Sequence, residues 1–167
     1  MKVIIIAVLL MLSAVCSATE TAFSSCNRIR LKKLADEGNK AAKKAMNICD
    51  NFDKALTAIL VGNNVVNISS SSLATVLFTE KFGKGSVGIA TVVMTVLVLI
   101  FGEILPKSLA KENSERFSIL MAAPLSAFMF IITPITAIFM GLKSGVSKLV
   151  GNKNSEPSVT EEELKYI

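Results

Sequence analysis

The stretch VIIIAVLLMLSAVCSAT, Val3–Thr19, decides how the fold is read: 17 consecutive residues carry no charge. Met1-Lys2 before it and the small residues Cys16-Ser17-Ala18 at its end fit a secretory signal peptide cleaved after Ala18. A lipoprotein signal fits poorly, because Val15 rather than a small residue precedes Cys16. As a helix rising ~1.5 Å per residue, the same stretch also approaches the ~30 Å thickness of a hydrocarbon core. The charge around it favours the span. Only Lys2 precedes it, whereas Cys26–Lys54 holds eight Lys/Arg (Arg28, Arg30, Lys32, Lys33, Lys40, Lys43, Lys44, Lys54) against four acids (Asp36, Glu37, Asp50, Asp53). Positive loops stay on the cytoplasmic side, so the first span is expected to run N-out to C-in.

Three further uncharged blocks follow: Ala55–Thr79 with 25 residues, Gly85–Gly102 with 18 and Phe117–Leu142 with 26. The 167-residue chain is 51% hydrophobic and 19% charged, with a mean hydropathy of +0.57. These blocks make it an integral membrane protein and exclude a soluble enzyme. The basic run beside apolar spans reads as a loop lying on anionic lipid, not as a nucleic-acid site, since Phe52 is its one aromatic residue. There is no His and no Trp, which removes the Ser-His-Asp triad and most zinc or copper sites. Cys16, Cys26 and Cys49 follow no CxxC pattern and read as reduced thiols at or inside the cytoplasmic face.

The expected spans are about 3–25, 55–79 and 86–106. Between the first two, the broken amphipathic pattern punctuated by Gly38-Asn39 predicts two short surface helices. A turn around Gly83–Gly85 makes spans two and three a helical hairpin. The last block carries Pro124 and Pro134, each of which removes an amide donor and frees a carbonyl one turn earlier. Hydropathy alone makes it a fourth span; its rival is a pair of Pro-broken helices, 117–142, lying at the membrane face. Residues 152–167 form a polar, acidic tail in which Thr160-Glu161-Glu162-Glu163 starts a helix by capping-box spacing.

Polar residues inside the blocks are the functional candidates, because buried carboxylates are costly in a membrane. Ser17, Glu20, Thr21 and Ser24 recur at i, i+3, i+4, i+7 on one helix face. Asn63 and Asn67 share a second face, continued by Ser70 and Ser71, and Gly62 allows close backbone approach. Gly102-Glu103 precede Pro106, which leaves the Gly102 carbonyl without its helical donor beside the Glu103 carboxylate. The donors are all oxygen, which suits Mg²⁺, Ca²⁺ or Na⁺. For Ser69–Ser72 the reading is interhelical glue. For Asn63, Asn67 and Glu103 it is a cation site, since a buried carboxylate needs a counter-charge. Glu20 reads either as part of that site or as a helix-end residue at the interface, and Lys107 as snorkelling to the cytoplasmic face.

Ser17-Ala-Thr-Glu-Thr-Ala-Phe-Ser24, Gly62-Asn-Asn-Val-Val-Asn67 and Gly102-Glu-Ile-Leu-Pro-Lys-Ser108 resemble, in order, the three signatures of the DUF21 transmembrane domain of the CNNM/CorC proteins, also called hemolysin-C-like. The resemblance covers about residues 3–151. It implies an all-α integral membrane fold: a homodimer with three transmembrane helices per chain and a belt of juxtamembrane helices, which makes 117–142 the belt. It also implies a domain that transports divalent cations, chiefly Mg²⁺, usually by Na⁺-coupled export. Carried over by motif, Ser17, Thr21, Ser24, the backbone near Gly62, Asn63, Asn67 and Glu103 would line the metal site. Members usually continue into paired CBS domains that bind nucleotide; here Glu161–Glu163 reads as the start of that region, and the CBS domains are absent. The expected location is the plasma membrane, multi-pass, N-terminus outside and C-terminus cytoplasmic. Two other classes stay open at this point: a Mg²⁺-binding sensor or accessory subunit that moves no ion, and a secreted protein whose first segment is a cleaved signal.

Overall fold

The computed structural model describes the backbone of residues 1–149 and the side chains of residues 1–134. The expected tail, 152–167, lies outside the described residues. The chain divides into two compact units at Ile132. The first, Met1–Ile132, carries all the candidate residues; the described part of the second is the remainder of the last helix.

The elements are α1 (Lys2–Ser25), α2 (Arg28–Asp36), α3 (Lys40–Asp50), α4 (Phe52–Phe82), a 3₁₀ turn (Lys84–Ser86), α5 (Val87–Leu97), a π-helical segment (Val98–Ile104), α6 (Leu105–Glu112) and α7 (Ser114–Leu149). The two short helices form where the sequence punctuates. Asn27 and Asn39 cap them: each Oδ1 accepts from two amides of the first turn, Ile29 and Arg30 for α2 and Ala41 and Ala42 for α3. Gly38 between them has φ 93°, and Gly83, which ends α4, has φ 81°, a region that L side chains avoid.

Three contacts set the directions of the long helices. Lys2 pairs with Glu80, Ser13 with Asn63, and Ile6 clusters with Ala74 and Met94. Rising numbers on α1 therefore meet falling numbers on α4, so the two are antiparallel. Against the third span, Ile6 meets Met94, Lys107 meets Glu20, and Ala18 and Ala22 cluster with Ala110, so α1 runs parallel to α5–α6. Small residues at these contacts (Ala18, Ala22, Ala74, Ala90, Ala110) let the backbones approach. The largest core lies at the far end, where α2, α3 and the start of α7 close over α1 and α4 through Phe23, Leu31, Ile48, Ile59, Ala122 and Leu125. On α3, Ala42, Ala45, Ile48 and Cys49 are buried while Lys40, Lys43 and Lys44 are exposed, an amphipathic helix laid on the bundle. The outward faces of α1 and α5 are apolar and exposed, including Ile4, Val8, Met11, Ile89 and Val92, as lipid-facing surfaces are.

Among the described residues, three helices are long and apolar enough to cross a membrane: Lys2–Ser25, Lys84–Glu112 and Ser114–Pro134. The molecule is thus an all-α, multi-pass membrane protein. The trio differs from the one the motifs select. At 31 residues α4 has the length, but Asn63, Asn64, Asn67 and Ser69–Ser72 dilute its apolar content, whereas Ser114–Pro134 holds few polar side chains. α7 is one helix from Ser114 to Leu149, through Pro124 and Pro134. Each proline costs one donor, and a single missing bond does not end a helix whose other turns are intact. Pro124 is itself exposed, and Ser126 Oγ adds a bond to the Ala122 carbonyl at 2.7 Å.

Candidate cation site

The site begins with a residue outside the three motifs. Ser13, fully buried on α1, donates from Oγ to Asn63 Oδ1 on α4 at 3.0 Å. Gly102 on the π-helical segment closes the third side: a Cβ placed there would stand 2.9 Å from Ser13 Oγ. One oxygen-rich layer therefore joins α1, α4 and the third span. The Ser13 hydroxyl spends its proton on Asn63 and keeps lone pairs for a further ligand. Ser13 lies one turn before Ser17 on the same face, so the i, i+4 pattern extended backwards was its one sequence signal.

Two buried oxygens near this layer have no hydrogen-bond partner: Ser17 Oγ and Asn67 Oδ1. Orphaned polar atoms in an interior cost free energy unless something else satisfies them. Because α1 and α4 are antiparallel, stepping from Ser13 to Ser17 and from Asn63 to Asn67 moves in opposite directions along the bundle. The two orphaned oxygens flank the Ser13–Asn63 contact from either side.

Glu103 follows Gly102 and is half-buried. The backbone carrying it is not α-helical. Val98–Ile104 is π-helical, and the Leu105 amide donates to the Ile100 carbonyl five residues back. Pro106 accounts for part of this: it has no amide and its ring crowds the carbonyl four residues earlier, so a widened register upstream relieves an α-helix that it would otherwise strain. The sequence reading marked the Gly102 carbonyl as the one Pro106 frees; the structure instead alters the register of the whole turn that contains it.

The remaining candidates are placed as follows. Thr21 is half-buried, and Ser24 is exposed with Oγ turned back to the Thr21 carbonyl at 3.0 Å. Gly62 accommodates the Phe128 ring of α7, whose tip would lie 2.6 Å from an added Cβ. Its close approach is thus to a side chain of α7. Glu20 is paired: Lys107 Nζ lies 3.4 Å from its Oε2, with both side chains partly exposed. Lys107 therefore reaches sideways to α1, and Glu20 is neutralised within the protein. Ser70 is buried and satisfied by the Asn67 carbonyl at 3.0 Å. Among the described residues no group of three or more His, Cys, Asp or Glu could hold a metal ion. Any ion here would be held by Glu103 with neutral hydroxyl, amide and backbone oxygens, a donor set that fits a hard cation. A cavity of about 440 Å³ lies elsewhere, between α2 and the start of α7, lined by Arg30, Lys33, Glu37, Glu115 and Arg116.

Known proteins carry the same sequence pattern. Residues 4–167 match the family described as the Cyclin M transmembrane N-terminal domain. A UPF0053 protein of Haemophilus influenzae is 36% identical over 98% of this chain and 40% of its own length. The UPF0053 inner membrane protein YfjD of Escherichia coli is 31% identical over 93% of this chain and 37% of its own. A chloroplastic DUF21 domain-containing protein of Arabidopsis thaliana is 37% identical over 98% of this chain and 25% of its own. The chain spans about two fifths or less of these relatives. The matched description is that of a transmembrane domain. With a family match over nearly its whole length and all three signatures on the helices that meet at the Ser13–Asn63–Gly102 layer, the chain belongs to the CNNM/CorC family and is a DUF21 transmembrane domain.

Proposed function

We propose that this domain moves Mg²⁺ across the plasma membrane through a site between α1, α4 and the π-helical segment, lined by Glu103, Asn67, Asn63 and Ser17, with Na⁺ as the coupling ion. Thr21 borders the site. Ser24 contributes only after turning away from its own helix, and Gly62 serves through packing. The observation that carries the reading is the pair of buried, unpartnered oxygens, Ser17 Oγ and Asn67 Oδ1, on either side of the layer next to Glu103. A half-buried carboxylate among neutral oxygens offsets part of the hydration that Mg²⁺ gives up reluctantly.

In this reading α4 is the second span, shielded from lipid on its polar face by α1 and the third span, and the first part of α7 belongs to the belt. The N-terminus faces outside, the basic segment Cys26–Lys54 lies on the cytoplasmic leaflet, and two copies of the chain associate. The widened π turn can revert to α geometry and so re-aim Glu103. Together with sliding of antiparallel α1 and α4, this gives a two-state element of the kind that alternating access requires.

The test is flux. Purified protein in vesicles loaded with Mg²⁺ is expected to release it when Na⁺ is added outside, and to release far less when the Na⁺ gradient is absent. Saturable Mg²⁺ binding without release under either condition would assign the domain to sensing instead.

A further inference from the structure

Outside the cation layer, two thiols meet that the sequence separates by 23 residues. Cys26 follows α1 as its C-cap and Cys49 sits in the last turn of α3, with their sulfurs 3.5 Å apart and both free. Cys49 is buried at 2% exposure and Cys26 is partly open. Arg28 Nη2 donates to the Cys49 carbonyl at 3.1 Å, which brings its guanidinium to the pair, and the Cys26 thiol lies 3.3 Å from the Phe23 carbonyl. Phe23 and Cys49 belong to the core that closes the bundle, with Cys26 packed against it, so neighbours on α1, α3, α4 and α7 hold the pair in place.

We propose that Cys26 and Cys49 form a peroxide-responsive dithiol site, with Cys26 the reacting thiol and Cys49 the resolving one. The Cys26 thiolate attacks one oxygen of hydrogen peroxide; the O–O bond breaks, the departing hydroxide takes a proton to become water, and Cys26 becomes a sulfenic acid. The Cys49 sulfur then attacks the Cys26 sulfur. The S–O bond breaks, and the departing hydroxide takes the Cys49 proton as a second water. Two thiols lose two protons and two electrons, and one peroxide takes them up to become two waters.

Closing to a disulfide requires the sulfurs to approach by about 1.5 Å, within reach of side-chain rotation. The order of events follows from exposure and charge. Cys26 is the more accessible sulfur. It is also drawn down to about 7, chiefly by the hydrogen bond from the Cys49 thiol, with the Ser118 hydroxyl and the Arg28 charge adding to this against burial. The same shared proton, with burial, pushes Cys49 upward. The consequence is mechanical. The bond would join the end of α1 to the end of α3, two residues before α4 begins, closing α2 and α3 into a loop. It would tether the end of the helix that carries Ser13 to the segment that leads into the helix that carries Asn63.

The experiment uses the full chain in lipid nanodiscs, first reduced and then treated with hydrogen peroxide at a small molar excess. The expected product is a monomeric chain lighter by two hydrogens, with one alkylatable thiol after denaturation instead of three, a peptide link between Cys26 and Cys49, and recovery of all three thiols with dithiothreitol. Thermal stability rises in the oxidised form. Cys16→Ser keeps the link; Cys49→Ser stops at a Cys26 sulfenic acid that dimedone captures. Three thiols still alkylatable after peroxide in the wild-type chain, a link through Cys16, or a link between two chains would each overturn the proposal.

Discussion

Glu103→Gln is expected to abolish Na⁺-dependent Mg²⁺ efflux while leaving the fold intact. The substitution keeps the shape and one oxygen of the side chain and removes only its charge. The layer around it offers neutral donors: the Ser13 and Ser17 hydroxyls and the Asn63 and Asn67 amides. Glu20, the nearest acid on α1 to that layer, is already matched by Lys107. Without Glu103 a doubly charged ion has no counter-charge at that depth, and the cost of removing its water is not offset. A loss of at least about a hundredfold in apparent Mg²⁺ affinity, ~2.7 kcal/mol, is the minimum consistent with this role. Thermal unfolding of the variant in detergent should match the wild type, because Glu103 makes no side-chain hydrogen bond or ion pair among the described residues. Flux at the wild-type rate would remove Glu103 from the site.

The second large effect is expected at Gly102, where stability and function should separate. Gly102→Ala adds one methyl group. On helix propensity alone it favours the helix by about 1 kcal/mol. In this structure the new Cβ would stand 2.9 Å from Ser13 Oγ and 3.5 Å from Ser13 Cβ. Ser13 is fully buried, so its hydroxyl can yield only by giving up the 3.0 Å bond to Asn63. The overpacking cost, about 1–3 kcal/mol, equals the propensity gain or exceeds it by up to about 2 kcal/mol. The thermal midpoint should therefore fall only modestly, while Mg²⁺ efflux falls at least tenfold because the layer is forced apart. Wild-type flux in Gly102→Ala would show that the Ser13–Asn63 contact does not shape the ion's path.

Much of the architecture could be read from local patterns. Gly38-Asn39 marks the break between α2 and α3 because Gly takes the positive φ and Asn caps the next helix, both local events. The uncharged run that opens the chain is helical throughout, and α1 packs into the bundle through Ile6, Ser13 and Ala22. What escaped the sequence depended on register between helices. Ser13 sits between Leu12 and Ala14 inside an apolar run and acquires meaning only when antiparallel packing brings it to Asn63. The Glu20–Lys107 pair and the Cys26–Cys49 contact need the same long-range alignment. The π register left one trace, Pro106, whose effect on the preceding turn depends on what α1 allows. In α7 the helix assignment runs through both prolines, a balance that the local cost of each proline does not reveal.

The central claim is that three helices converge on one cation through oxygens alone. A structure of the domain in lipid nanodiscs at saturating Mg²⁺ tests it most directly. The account predicts one ion with the Glu103 carboxylate in its coordination sphere at about 2.1 Å, joined by oxygens from both α1 and α4. An ion bound away from Glu103, or one that takes no oxygen from α1 or α4, would contradict it.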